Sequence, residues 1–180
     1  NYLPGQRIYA KWNQSFRFPN IDEYWGIFYN PTTFTSTTVF NGILQPQTTQ
    51  TYELGGNWTI LNATITSSIF KSATQNEISY NPSTGYNYNS IYQINRGGML
   101  LDVATNITPS INVGAGGKYQ KSYYAYGPFS GNAIPIVPDT LLNARANYLI
   151  TPSWTIGGVI NYVSNQHYDT GPSYYSPTPV

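Results

Sequence analysis

Apolar and polar residues alternate with a period of two along much of this chain. That is the period of a strand, which sends successive side chains to opposite faces. The clearest run is Met99 to Tyr168, two hairpins built on one short turn: Ile107-Thr108-Pro109-Ser110 closes the first and Ile150-Thr151-Pro152-Ser153 the second. Met99, Leu101, Val103, Thr105 and Ile107 share a face opposite Leu100, Asp102, Ala104 and Asn106. After the first turn, Ile111, Val113, Ala115, Gly117 and Tyr119 oppose Asn112, Gly114, Gly116 and Lys118. Leu142, Ala144, Ala146, Tyr148 and Ile150 oppose Asn143, Arg145 and Asn147; Trp154, Ile156, Gly158, Ile160 and Tyr162 oppose Thr155, Gly157 and Asn161. One face is apolar, and the other takes nearly every charge and amide.

The same pattern places strands elsewhere. Arg7 to Arg17 alternates, with Ile8, Ala10, Trp12, Gln14 and Phe16 opposite Arg7, Tyr9, Lys11, Asn13, Ser15 and Arg17. Three cations on one strand face, Arg7, Lys11 and Arg17, suit a wet interior, not a core. Phe18 to Gln50 is expected to be an irregular loop. A second strand spans Thr51 to Ile60, the chain turns sharply at Leu61 and Asn62, and a third strand runs from Ala63 to about Lys71. A loop from about Ser72 to Ser90 comes next, and a fourth strand returns through Tyr92, Ile94 and Arg96. Gly97-Gly98 within it suggests a bulge or bend. Lys121 to Thr140 forms a long loop, and His167 to Val180 another. Seven strands result, with short turns at one rim and long loops at the other.

Alternation alone fits a soluble sandwich as well as a membrane barrel. Aromatic placement separates them. Trp58, Tyr148 and Trp154 sit on the apolar face beside the short turns, and Tyr119 and Tyr162 lie about one crossing away, since a tilted membrane strand needs roughly 9 to 11 residues. Two aromatic girdles at this spacing mark an outer-membrane β-barrel, with short periplasmic turns and long extracellular loops. The expected fold is therefore all-β, a segment of a transmembrane antiparallel β-barrel. Seven is an odd number, and an open sheet edge in lipid would leave backbone groups unpaired. The 180 residues are thus expected to be a fragment of a longer barrel chain.

Composition narrows the chemistry. Only 8% of residues are charged, against roughly 25% in ordinary soluble domains. The net charge of +1 argues against a nucleic-acid partner, which calls for a strong basic excess. Cysteine is absent, which removes disulfides, thiolate metal sites and thiol nucleophiles. No apolar run approaches the roughly 18 residues of a spanning helix. His167 is a single imidazole without clustered partners, a poor metal site, and Gly114 to Gly117 lacks the lysine and helix of a phosphate loop. No Ser, His and carboxylate constellation falls on one face, so no catalytic residue is expected. Asn13, Asn57, Asn62 and Asn106 begin glycosylation-type triplets that are coincidental on barrel strands.

Several segments resemble one family. Tyr9 to Glu23, YAKWNQSFRFPNIDE, is similar to the "Y...SFR.P..DE" strand of TonB-dependent outer-membrane receptors, and Gln45 to Gly55, QPQTTQTYELG, to their "L.PE....YE.G" segment, with Gln47 where Glu is common. Asn95 to Asp102 resembles their "G.E.E" strand, although Leu100 stands where a Glu is usual. Pro135 to Asn143, PIVPDTLLN, matches their "P..P.H..N" strand entry with Asp139 and Thr140 in place of a more basic pair. Tyr162 to Asp169, YVSNQHYD, looks like the strand and loop before the last few strands. The matches are collinear. The resemblance implies a barrel of about 22 strands around an internal plug, in the outer membrane, importing a ferric siderophore or similar scarce solute. Residues 1–180 would be part of one barrel domain, with the plug, the TonB-contacting box and the closing strands outside it. It implies no enzyme activity and no cofactor. Its partners would be outer-membrane lipid, the solute, and the TonB complex through a part of the receptor beyond this chain.

Rigid aromatic faces with a polar handle suit flat, partly apolar ligands. The candidates for extracellular contact are Tyr24, Trp25 and Tyr29, then Tyr86 and Tyr88, then Tyr123, Tyr124, Tyr126 and Phe129. Alternatively, these loops pack on each other, or the lower tyrosines extend the outer girdle. Arg7, Lys11, Arg17, Arg96, Lys118 and Arg145 are expected to line the lumen with Glu53 and Asp102. They would attract an anionic chelate or pair with those carboxylates or with the plug's. Two rivals stand beside this reading: a passive porin-like or structural barrel, and a soluble carbohydrate-binding β-sandwich.

Overall fold

The computed structural model describes residues 5–81 and 85–166. Among them, seven long strands form one antiparallel sheet: β1 (Arg7–Arg17), β4 (Gln47–Ile60), β5 (Ala63–Gln75), β8 (Ile94–Thr108), β9 (Ile111–Tyr124), β10 (Thr140–Thr151) and β11 (Trp154–Val163), hydrogen-bonded in that order. Two small hairpins stand apart from it, β2 (Trp25–Asn30) with β3 (Thr35–Phe40), and β6 (Ile78–Asn81) with β7 (Tyr86–Asn89). The seven expected strands are therefore present. The stretch from Phe18 to Gln50 is not irregular, however: it holds a 3-10 turn over Ile21–Tyr24, the β2-β3 hairpin and the first residues of β4. The second loop is likewise shorter than expected, because β5 continues to Gln75 and β6-β7 occupies most of the span from there to Ser90.

The register preserves the two faces across every neighbouring pair, since directly opposed residues point to the same side. Leu101 opposes Ser67 and Gly117; Ala144 opposes Ala115 and Ile160. Ile69 lies on the apolar face opposite Leu54 and Met99, while Phe70 turns to the polar face opposite Glu53 and Gly98. This alternation accounts for the mixed look of the third strand in the sequence.

The expected bulge at Gly97-Gly98 is absent, and pairing runs unbroken through both residues. Gly98 serves a different need. A Cβ there would run into the Tyr119 carbonyl oxygen and approach Gln120 Cα to 2.9 Å, so β9 passes too close for any side chain. The register shifts lie instead at the two Ile-Thr-Pro-Ser turns, between Asn106 and Thr108 and between Leu149 and Thr151. In both, the threonine hydroxyl accepts the serine N–H, Ser110 to Thr108 Oγ1 at 3.2 Å and Ser153 to Thr151 Oγ1 at 3.3 Å. Such side-chain turns satisfy a backbone donor where the ladder ends. The repeated tetrapeptide thus encodes a repeated bulge and turn. The third short turn is tighter: Ile60 opposes Ala63, and Leu61 takes a left-handed φ of 54°.

Little of the sheet is buried. The described core is a cluster of Ile94, Tyr124 and Ile134 at the long-loop rim, flanked by Tyr92, Phe129 and Val137. The apolar face is bare instead, with Trp12, Leu54, Met99 and Ile160 all more than half exposed. Replacing Gly98 with valine is expected to destabilise the full-length protein by about 1–3 kcal/mol, the usual range for overpacking. A lowered unfolding temperature with unchanged expression would show it.

Candidate functional site

The polar face is knitted by side chains that cross neighbouring strands over glycines. Arg145 on β10 reaches past β9 to Asp102 on β8, donating from Nη1 and Nη2 to the two carboxylate oxygens at 2.8 Å each. Gly114 and Gly116 on β9 clear the path. A Cβ on Gly114 would lie 2.7 Å from the guanidinium carbon, and one on Gly116 2.7 Å from Asp102 Oδ2. The bidentate fork is the strongest form of carboxylate recognition, and it joins three strands. On the other flank, Tyr9 lies over Gly55 and donates its hydroxyl to Glu53 Oε1 at 2.8 Å. The glycine run that cannot be a phosphate loop is therefore the bed of an ion pair.

The remaining expected lumen charges divide in two. Arg96 donates to both oxygens of Glu77 at 2.9 Å and to Thr74 Oγ1 at 3.1 Å; Arg17 donates to both oxygens of Glu23 at 3.0 and 2.9 Å. Arg7, Lys11 and Lys118 take part in none of the ion pairs among the described residues. Arg7 sits 6.0 Å from the Tyr9 ring centre and Lys118 5.4 Å from that of Phe70, both in the range of cation–π attraction. Glu23 and Glu77, which sequence reasoning left in loops, are the carboxylates that hold two of these arginines.

The aromatic candidates also separate by geometry. Along β2, Trp25, Ile27 and Tyr29 share one face, with Phe40 of β3 meeting Trp25 edge-on at 5.4 Å between ring centres. All four are about half exposed or more. The reverse face is covered: the Tyr86 ring lies against Gly26, where a Cβ would overlap it. Asn87 Nδ2 donates to the Glu23 carbonyl at 3.2 Å, the Asn41 amide donates to the Asn87 carbonyl, and Asn89 exchanges hydrogen bonds with the Gln45 backbone at 2.7 and 2.9 Å. The two hairpins are thus docked by asparagine amides, and Tyr86 is engaged in that docking. Tyr24 supplies the carbonyl that closes the first loop, accepting from the Asn41 N–H at 2.7 Å. Tyr88 remains partly exposed.

In the third loop, Tyr124 and Phe129 are packed against each other and against Tyr92, so the loop's own core uses them. Tyr126 stands on the Tyr92 ring at 6.1 Å with half its surface open. Tyr123 alternates onto the apolar face, two residues beyond Lys121 and four beyond Tyr119. Ile27 and Phe40 are members of the exposed strip that the sequence reading missed. The period-two spacing of Trp25, Ile27 and Tyr29 was the available signal. No group of three metal-ligating side chains occurs among the described residues; His167 lies outside them.

A model of the TonB dependent receptor-like β-barrel family matches residues 1–179. The chain belongs to that family. Its members are outer-membrane receptors and transporters of Gram-negative bacteria, not enzymes. The chain is 25% identical over 129 residues to the catecholate siderophore receptor Fiu of Escherichia coli K12, a match covering 68% of this chain and 17% of Fiu. It is 24% identical over 156 residues to the probable TonB-dependent siderophore receptor PiuA of Acinetobacter baumannii, covering 78% and 21%. The chain therefore spans about a fifth of the length of these relatives. In fold it is similar to the closed form of the E. coli ferric-catecholate import receptor Fiu, with a TM-score of 0.66 and 21% identity over 98% of this chain and 25% of that one. It is also similar to the copper transporter OprC, with a TM-score of 0.68 and 17% identity over 93% and 26%. Family membership sets aside the soluble sandwich.

Two outcomes are expected of this geometry. Gly116→Val in the full-length receptor should drive Asp102 from Arg145 and lower the unfolding temperature; adding Asp102→Asn should then cost little more, the non-additivity of residues acting as one unit. Burial works against a charged Glu23, but hydrogen bonds from Arg17 and the Asn20 N–H, with the Arg17 charge, outweigh it and hold the carboxyl below its ordinary 4.5. A carboxyl lowered by folding contributes stability above its unfolded pKa and loses it as pH falls through the folded value. Hydrogen-exchange protection of residues 18–24, corrected for intrinsic rate, should hold from pH 7 to 4.5 and fall below that, and Glu23→Gln should flatten the profile.

Proposed function

We propose that this chain forms part of the barrel wall of a receptor that binds and imports a ferric siderophore, with energy delivered through TonB by a part of the receptor beyond these residues. The kinship with siderophore receptors carries this reading: both Fiu and PiuA are named for that cargo. In this arrangement residues 1–180 belong to one barrel domain. The apolar face meets outer-membrane lipid, the polar face turns to the lumen and its plug, and the long loops face outward.

The exposed strip of the first loop supports the ligand side of the proposal. Trp25 and Tyr29, with Ile27 and Phe40 between and beside them, present a flat apolar surface with one hydroxyl and one indole N–H at its ends. Tyr88 and Tyr126 add further exposed rings. Aromatic contacts contribute about 0.5–1.5 kcal/mol each beyond their area, enough for two of them to set affinity. Tyr24 and Tyr86 contribute by fixing the first loop that carries this surface, Tyr124 and Phe129 by packing the third loop that carries Tyr126, and Tyr123 lies on the apolar face instead. Arg7, Lys11 and Lys118, outside the ion pairs among the described residues, add positive charge to the same polar face, with Lys11 directly opposite Glu53; a net positive face favours an anionic iron chelate over a neutral one.

Binding to the purified full-length receptor tests this by quenching of its tryptophan emission, with the ferric 2,3-dihydroxybenzoate complex, ferrichrome and ferric citrate as probes. Saturable quenching by at least one iron chelate is expected, about tenfold weaker in the Trp25→Ala, Tyr29→Ala double variant, which corresponds to ~1.4 kcal/mol. No saturable binding of any of them would contradict the siderophore reading. Unchanged affinity in the double variant would contradict the site.

A further inference from the structure

The exposed strip of the first loop is carried by a hairpin whose two feet meet a single residue of the second loop. Asn87 of β7 donates from Nδ2 to the Glu23 carbonyl at 3.2 Å, two residues before β2 begins at Trp25. Its own carbonyl accepts from the Asn41 amide, directly after β3 ends at Phe40. Between the feet, the Asn41 N–H donates to the Tyr24 carbonyl at 2.7 Å. One residue thus brackets the whole hairpin.

The neighbours of Asn87 fix how the hairpin lies. A Cβ on Gly26 would overlap the Tyr86 ring, and one on Gly85, at a left-handed φ of 74°, would meet the Ile27 carbonyl oxygen at 2.5 Å. β2 therefore rests on the second loop with no room for a side chain between them. Two residues beyond Asn87, Asn89 accepts the Gln45 N–H at 2.7 Å and donates to the Gln45 carbonyl at 2.9 Å, which sets the path from the first loop into β4. The second loop is itself tied to the wall. The Ser90 N–H closes its base on the Glu77 carbonyl at 2.7 Å, and Arg96 of β8 holds the Glu77 carboxylate.

An isolated two-stranded hairpin is marginal in water, and every residue of β3 is exposed. The arrangement of Trp25, Ile27 and Tyr29 is consequently imposed from outside the hairpin. Holding a binding surface in its bound form beforehand removes the cost of ordering it when the ligand arrives.

We propose that Asn87 is a positioning residue for the ligand strip: by closing both feet of the β2-β3 hairpin it keeps Trp25, Ile27 and Tyr29 in the binding arrangement before the chelate arrives. This rests on the reading of that strip as the contact surface for an iron chelate. The amide donor and the carbonyl of Asn87 are both engaged by the first loop, so its effect on binding passes through the hairpin. When the competent state is only partly populated, apparent affinity falls by that fraction, and the loss appears in association. Most substitutions of contact residues raise the dissociation rate instead. The two cases are separable.

Stopped-flow quenching of tryptophan emission in the purified full-length receptor tests this, with the ferric 2,3-dihydroxybenzoate complex, ferrichrome and ferric citrate as probes. In the Asn87→Ala, Asn41→Ala double variant the first change removes the donor to Glu23 and the second the donor to the Asn87 carbonyl. Association should slow about tenfold, as the loss of two neutral hydrogen bonds allows, while dissociation keeps its wild-type rate. Without any chelate, amide exchange of residues 25–40 should speed by a similar factor and that of β4, β5 and β8 should not change. Saturating chelate should restore the protection. Unchanged association, or a loss that falls on dissociation, would overturn the positioning role. Unchanged exchange of residues 25–40 would overturn the clamp itself. Absence of saturable quenching in the wild type would instead overturn the siderophore reading, and the positioning role with it. Heat-modifiable migration on gels confirms that each variant is folded.

Discussion

Backbone hydrogen bonding is the constraint on which the rest of this structure depends. A bilayer interior supplies no partner for an N–H or C=O group, so every spanning residue must find one in a neighbouring strand. The ladders that join β1 to β11, shifted in register only at two short turns, meet that demand for the five inner strands, and the register they impose leaves each side chain no choice of face. Alternation is then a requirement on composition. Apolar residues occupy one set of positions and amides, hydroxyls and charges the other, with glycine admitted wherever two elements must come close.

Glycine carries more of the design than its lack of a side chain suggests. Gly114 and Gly116 let an arginine span a strand to reach Asp102, Gly55 seats Tyr9 beside Glu53, and Gly98 permits close approach of β9. On the apolar side Trp58 covers Gly56 in the same manner. A sheet with large curvature has less room on its inner face. Side chains that reach across neighbouring strands use the room that glycines leave, so ion pairs and small residues are two parts of one device.

The long strands were legible because their signal is collective. Eleven alternating residues from Arg7 to Arg17, and the twin Ile-Thr-Pro-Ser turns, admit few other readings. The loop hairpins were not legible in the same way: β6 and β7 are four residues each, too short for alternation to stand out among asparagines. β2 could have been found from Trp25, Ile27 and Tyr29, but the flanking prolines and threonines obscured it. Gly97-Gly98 was misjudged because sequence shows that a side chain is missing without showing what occupies its place. Partners separated by many residues, such as Arg96 with Glu77 or Arg145 with Asp102, become visible only once register is known.

The orientation of the two faces is the claim on which ligand contact, lumen charge and lipid contact all depend. Spin labels placed one at a time at Leu101, Asp102, Ile160 and Asn161 of the full-length receptor in bilayers would test it through collision with oxygen, which concentrates in lipid, and with a water-soluble nickel chelate. Labels at Leu101 and Ile160 should collide with oxygen and those at Asp102 and Asn161 with nickel. Reversed preferences, or equal access at adjacent positions, would contradict a sheet that separates lipid from a water-filled lumen.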